Sequence, residues 1–245
     1  MPRLSLIVPA HNEEGFLPRL LDSVDRARAA SPAIGAEVIV ADNASTDRTA
    51  EIARARGCLV APVEKRVIAA ARNGGAALAG GEILAFTDAD GTIHPDTFAA
   101  IDAAERSGVA VAGATGVTME RWSAGIALTY ALALPTVWLT RMDTGVVFCR
   151  REDFDAVGGY DESRPFGEDV HFLWKLRRRG RASGRRLVRL RGVKAVASTR
   201  KFDTFGDWHY LTRFCTAIVH PRQLRDLLRG TAPTFVDEYF FDYYV

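Results

Sequence analysis

The chain has 245 residues, 48% of them hydrophobic and 25% charged, enough to bury a sizeable core as one domain or as a domain with an appendage. A formal net charge of +2 gives no overall pull towards nucleic acid, so charge matters only where it is locally concentrated. Cys58, Cys149 and Cys215 are odd in number, widely scattered and without CxxC spacing, which argues against a disulfide framework or a zinc site and fits a reducing cytoplasm.

The opening stretch "MPRLSLIVPAHNEE" turns polar too soon for a signal-peptide core, so a cytoplasmic location is expected. Short β-rich runs then alternate with helical patterns: "LSLIVPA", "FLPRLLDSVDRARAA", "EVIVAD", "STDRTAEIARARG", "CLVAP", "VIAAARNGGAALAGG" and "EILAFTD". Continuous apolar strands joined by helices predict an α/β fold, a Rossmann-like and mostly parallel sheet with helices on both faces. Ser45 or Thr46 is a plausible N-cap of the second helix and Gly57 its stop. In such sheets ligands lie beyond the carboxyl ends of the strands, where "PAHNEE", "ADNAS" and "TDADG" all fall. No internal repeat or low-complexity linker marks a firm domain boundary.

A dinucleotide site would need a glycine-rich turn after the first strand, and "PAHNEEGF" has none. The later "VAVAGATGVTM", with Gly113 and Gly116, lies mid-chain, lacks the third glycine and is followed by no strand-ending acid at the ribose distance; it reads as a strand and a tight turn. Phosphate needs another holder. Asp88 and Asp90 follow an apolar run two residues apart, and in an extended strand both side chains would converge and repel unless a cation or hydrogen-bond donors lay between them. A hard divalent ion, Mn²⁺ or Mg²⁺, suits paired carboxylates and bridges to phosphate oxygens, although acidic pairs also occur in many surface turns.

"LSLIVPAHNEEGFL", "VIVADNASTDRTAEIA", "AARNGGAALAGGEILAFTDADG", "DTGVVFCRREDFDAVGGYDE" and "FGEDVHFLWKLRRRG" occur in the order and approximate spacing of the family-two inverting nucleotide-sugar glycosyltransferases, and the chain resembles that family over residues 3 to 205. The resemblance implies a single A-type glycosyltransferase domain over residues 1–220, with a nucleotide-binding half (1–115), an acceptor-binding half (116–220) and an extension over 221–245. It places Pro9, Ala10 and Glu13 beside the nucleotide, Asp42 on the base, Arg72 near the nucleotide or its phosphates, Asp88 on ribose or metal, and Asp90 on the metal. Gly145 would leave room for the donor sugar. Asp169 would be the base that strips the acceptor's proton, with Glu168 orienting the acceptor. The residues also admit plainer roles: Asp42 with Asn43 and Ser45 as a strand-to-helix cap, Arg72 as a solvated helix residue, Gly145 as a turn glycine, and Glu168-Asp169 as first-turn acids of an apolar helix carrying Phe172, Leu173 and Leu176.

"ASTRKFDTFGDWHY" offers His209 as a third metal ligand, as in some relatives, and Arg200 and Lys201 for the diphosphate. His11 is either a nucleotide neighbour or a strand-end polar group. The uncharged segment 123–140, with Pro135 inside it, is marginal for a bilayer span; a buried helix on the acceptor side is expected ahead of a surface helix touching membrane. The arginine-rich "KLRRRGRASGRRLVRLRGVK" would face anionic lipid or an acceptor phosphate, or be a solvated helix end and basic edge strand. If both patches share a face, a lipid-linked acceptor and peripheral contact at the inner face of the membrane follow. The aromatic "TFVDEYFFDYYV" would pack back on the domain or mediate self-association. The expected activity is therefore metal-dependent inverting transfer from a nucleoside-diphosphate sugar. The alternative is a catalytically silent nucleotide-binding or membrane-adaptor protein.

Overall fold

In the computed structural model, residues 1–164 and 167–212 are described. The chain runs β1 (Leu4–Ala10), α1 (Leu17–Ala30), β2 (Ala36–Asp42), α2 (Thr49–Ala55), β3 (Leu59–Pro62), α3 (Ile68–Leu78), β4 (Ile83–Phe86) and α4 (Thr97–Arg106). It continues through β5 (Ala110–Met119), α5 (Ala124–Thr140), β6 (Val147–Arg150), α6 (Arg151–Ala156), α7 (Glu168–Ala182), β7 (Arg186–Ala197) and α8 (Arg200–Phe205). The seven strands form one sheet in the order β3-β2-β1-β4-β6-β5-β7. All pairs are parallel except the two made by β6, which is antiparallel to both neighbours.

The period of two along a strand explains why the central strands read as unbroken apolar runs. Leu4, Leu6, Val8 and Ala10 of β1 point into a core with Leu17, Leu20, Leu21 and Val24 of α1 and Phe98 and Ile101 of α4. Ile7 faces the opposite core, shared with Ala69 and Ala76 of α3, Phe154 of α6, and Phe172, Leu173 and Leu176 of α7. Both faces are covered, as expected. Because β1 pairs in register with β2 up to Ala10 opposite Asp42, and β4 pairs with β1 on the other side, three strand ends open at one rim of the sheet.

Several local expectations are corrected. Helix α2 starts at Thr49, and its first turn is served by Asp47, which accepts from the Thr49 N–H at 2.9 Å and hydroxyl at 2.5 Å. The hydroxyl of Ser45 instead accepts the N–H of Asn12, and the Thr46 N–H donates to the Asn12 side chain, so these residues stitch the loops after β1 and β2 together. Gly57 does follow the helix with a left-handed φ of 71°. Asn73-Gly74-Gly75 lies inside α3. A Cβ on Gly75 would sit 2.5 Å from Cγ2 of Ile7, so this glycine lets helix and sheet close up. The glycines of "VAVAGATGVTM" make no turn: β5 runs straight through them, and Gly113 clears space for the ring of Phe148 and for Val188.

Helix α5 is the main surprise. The expected buried helix lies on the surface, with Leu128, Leu132, Leu134, Trp138 and Leu139 exposed. Among the described residues no helix is long and apolar enough to cross a membrane. Strand β7 is a sheet edge, as the basic-edge reading of the arginine-rich segment had it. Cys58 and Cys149 are buried free thiols; Cys215, the 221–245 extension and the end of the 116–220 half lie outside the described residues.

Candidate active site

The strand ends enclose a cleft of about 310 Å³. Pro9 of β1 and Glu13 from the loop after it line one side, with Asn43 from the loop after β2; Asp88, Ala89 and Asp90 follow β4. Arg66, Val67, Ile68 and Arg72 come from the start of α3, Glu168 and Asp169 from the first turn of α7, and Arg200 and Lys201 from the first turn of α8. Chain segments far apart in sequence thus bring five carboxyls and four cationic side chains to one volume.

Arg72 organises the floor. It is only 3% exposed, and its guanidinium donates to Glu168 at 2.6 Å and to Asp88 at 3.1 Å while pairing with Asp169 at 3.1 Å. The two acidic pairs foreseen separately are therefore tied to one cation. Burial opposes the charge on Arg72, yet Asp169, Tyr160, Glu168 and Asp88 hold it well above its ordinary pKa, so it stays protonated. Its guanidinium lies 5.1 Å from the centroid of the Tyr160 ring, a cation–π contact. The Tyr160 hydroxyl donates to Asp169 Oδ1 at 2.9 Å. Tyr160 itself is fixed by stacking on Phe172, with centroids 4.2 Å apart, and by its N–H donating to Asn73 at 2.9 Å.

Asp169 is raised to about 7, first by burial, with Glu168 and Asp88 adding to the rise and Arg72 and the Tyr160 hydroxyl opposing it. A carboxyl poised there can accept a proton near neutral pH. Glu13 is likewise raised to about 7 by burial, against the pull of Arg200, which contacts both its oxygens at 2.7 and 3.0 Å. Arg200 also pairs with Asp90 at 3.1 Å, and Asp90 is pushed up by burial and by Asp88. Burial lowers Lys201.

Most of the expected residues meet here: Pro9, Glu13, Arg72, Asp88, Asp90, Glu168 and Asp169, with Arg200 and Lys201. Ala10 is buried in the core beneath the rim and does not line the cleft. Asp42 ends β2 with Oδ1 accepting the Ser45 N–H at 3.2 Å, which is the cap geometry; its neighbour Asn43 is the cleft residue. His11 is buried, with Nδ1 2.7 Å from the Asn43 carbonyl oxygen. Gly145 gives its space to β5 rather than to a sugar, since a Cβ there would meet Thr115 Oγ1 at 2.4 Å and the Gly116 carbonyl at 2.7 Å. His209 packs on Phe202 and Tyr210 with Nδ1 2.7 Å from the Gly206 carbonyl oxygen, and it is not among the cleft-lining residues.

Asp88 and Asp90 do not sit in an extended strand. β4 ends at Phe86 and the acids lie on the turn that follows, both still facing the cleft. Two carboxylates of which Asp88 is 60% exposed supply hard oxygen donors of the kind Mn²⁺ or Mg²⁺ takes. Among the described residues no group of three or more His, Cys, Asp or Glu could hold a metal, and each acid of the pair already meets a cationic side chain, Asp88 that of Arg72 and Asp90 that of Arg200, both at 3.1 Å. Tyr160 and Asn73, like the cleft-lining Arg66, are among the residues that sequence reasoning left without a role. "GGYDE" and "ARNGG" both stood within recognised motifs, but only their meeting under the acids reveals what they do.

A mostly parallel sheet with a carboxylate-lined cleft beyond its strand ends is an α/β domain with its ligand site where such sheets carry one. Residues 5–160 match the Glycosyl transferase family 2 profile, and the chain belongs to that family of nucleotide-sugar glycosyltransferases, with the A-type fold. It is 30% identical over 201 residues to the succinoglycan biosynthesis protein ExoA of Rhizobium meliloti, covering 71% of this chain and 58% of ExoA. It is 34% identical over 101 residues to validoxylamine A glucosyltransferase of Streptomyces hygroscopicus subsp. limoneus, covering 36% of this chain but only 20% of that protein. Among solved structures, the mannosyltransferase PcManGT of Pyrobaculum calidifontis, bound to GDP-Man and Mn²⁺, superposes with a TM-score of 0.65 at 24% identity over 95% of this chain and 69% of its own. S. aureus TarS bound to UDP-GlcNAc gives 0.62 at 22% identity over 80% of this chain and 58% of its own.

Proposed function

We propose that the protein transfers a sugar, with inversion at the anomeric carbon and with a divalent ion, from a nucleoside-diphosphate sugar to an acceptor hydroxyl. The observation that carries this reading is a buried cation, Arg72, joining an exposed acid of the Asp88/Asp90 pair to the poised acid Asp169 in one cleft. That span separates the two jobs a one-step displacement needs: a place for the departing diphosphate and, across from it, a base for the incoming oxygen.

In this reading Asp88 and Asp90 hold Mn²⁺ or Mg²⁺, which neutralises charge on the leaving diphosphate. PcManGT and the Mycobacterium tuberculosis glucosyl-3-phosphoglycerate synthase, both solved with Mn²⁺ and a nucleotide or nucleotide sugar, support that assignment. Arg200 and Lys201 face the diphosphate, and Pro9, Glu13 and Asn43 border the nucleoside. Asp169 takes the acceptor proton; Glu168 and Tyr160 hold it and the acceptor in place. Because this chain spans 58% of ExoA, sugar, base and acceptor are set by experiment rather than by likeness.

The test is a panel of nucleotide sugars with Mn²⁺ or with a chelator, read by thermal shift and by release of nucleoside diphosphate. One donor should raise the melting temperature only with the metal, and Asp90→Asn should lose that metal-dependent part. A donor bound equally well in chelator would remove the metal from the account; binding of every donor without diphosphate release to any acceptor would favour a silent nucleotide-binding protein.

A further inference from the structure

Helix α5 contains no Asp, Glu, Lys or Arg in 17 residues, yet most of it lies on the surface. Leu132, Trp138 and Leu139 are 57%, 66% and 76% exposed, and Trp122, just before the helix, is 51% exposed. A helix that is apolar all round belongs in a protein core or in lipid, and this one has only a narrow seam against the domain: Ile126 is buried, and the Tyr130 hydroxyl donates to the Val117 carbonyl at 2.8 Å. The rest of its surface has no covering among the described residues.

Acids meet the helix at its start, where Asp207 packs against Gly125 and pairs, with Asp203, to Arg121; beyond that end the charge nearby in sequence is mostly basic. No Asp or Glu occurs between Glu120 and Asp143, and β7 carries Arg186, Arg189, Arg191 and Lys194 with no acid in its 12 residues. Arg189 is engaged by Asp143, while Arg141, Arg191 and Lys194 are exposed. The helix reaches the sheet beside its edge strand: the Tyr130 hydroxyl meets β5 at Val117, the neighbour of Gly116, which pairs with Lys194 of β7.

We propose that α5 and the basic rim of β7 form a docking surface for an anionic lipid bilayer. The helix would lie in the interface, its leucines and Trp138, with Trp122 just before it, sunk to the level of the acyl boundary, and Arg141, Arg191 and Lys194 against lipid phosphates. It is too short for a span. A second copy fits the surface poorly: a two-fold contact sets each patch against itself and would bring two acid-free basic rims together. Pairing along β7 is also hindered, since the register slips between Thr115 and Gly116 and breaks the continuous hydrogen-bonding edge. This inference stands apart from the catalytic reading.

The test is flotation of the full chain with vesicles of phosphatidylcholine alone and of phosphatidylcholine mixed with phosphatidylglycerol. Wild type should float with the mixed vesicles and far less with the neutral ones. Arg191→Gln with Lys194→Gln should weaken binding to mixed vesicles roughly 25-fold, about fivefold for each charge. Leu132→Gln with Trp138→Gln should abolish flotation while keeping the native circular dichroism spectrum and melting temperature. Should that variant fail to fold, quenching of wild-type tryptophan fluorescence by brominated phosphatidylcholine in mixed vesicles reads the same contact without mutation. Absence of both flotation and quenching, flotation untouched by either double variant, or a dimer that Leu132→Gln with Trp138→Gln turns into a monomer would each overturn the proposal.

Discussion

Arg72 is the residue on which the site turns, because its burial makes the charge of its neighbours interdependent. Asp169 stands at about 7, and a base works only when ionised, so transfer should rise with pH, roughly tenfold per unit, up to about pH 7 and then level off. A rate flat between pH 5 and 8, measured as kcat/KM, would contradict that assignment. The Tyr160 hydroxyl bond lowers the Asp169 pKa, so Tyr160→Phe should move the acidic limb to higher pH and reduce kcat at pH 7 with little change in donor KM. A merely structural tyrosine would leave the limb in place. The acids were legible because D-x-D and "GED" each sit at a recognisable element end. Arg72 was legible as a residue of the cleft but not as a bridge, since nothing local announces that "ARNGG" and "GED" will meet. Gly145 misled for a related reason: a required glycine shows that space is taken, not by what.

Elements tell a similar story through packing. Gly75 lies mid-helix, where alanine would be favoured by about 1 kcal/mol on propensity alone. Its Cβ would nevertheless press on Ile7 in a filled core, an overpacking cost of about 1–3 kcal/mol. Gly75→Ala should therefore destabilise the fold in chemical denaturation, and a stabilised variant would show that α3 can lift from the sheet. The strands β1 to β4 were legible as continuous apolar runs because helices cover both faces. Strand β5 was harder, since Gly113 and Gly116 look like turn residues until Phe148 and Lys194 are seen filling the space beside them. Apolar composition placed α5 in the core; composition reports a need for an apolar neighbour and says nothing of whether the chain itself supplies one.

At the scale of the molecule, the cleft makes the ligand-free fold sensitive to pH. Glu13 and Asp169 have folded pKa values near 7, above ordinary carboxyl values of 4.5 and 3.8, so the fold binds their protons more tightly than the unfolded chain does. Their contribution to stability is full below about pH 4 and is lost as pH rises through about 7. Glu13→Gln with Asp169→Asn should thus flatten the fall in melting temperature between pH 5 and 7.5, while an unchanged slope would mean the pair does not titrate there. Such a cost is what a fold tolerates at a functional site, and it is the one the proposed base role of Asp169 calls for.

Asp169→Asn gives the sharpest reading, in a single-turnover assay with saturating donor, Mn²⁺ and acceptor alongside calorimetric donor binding. Transfer should fall roughly 10²- to 10⁴-fold, the range for a lost general base, with donor affinity nearly unchanged. Transfer at the wild-type rate, or a loss explained by donor affinity alone, would contradict the assignment.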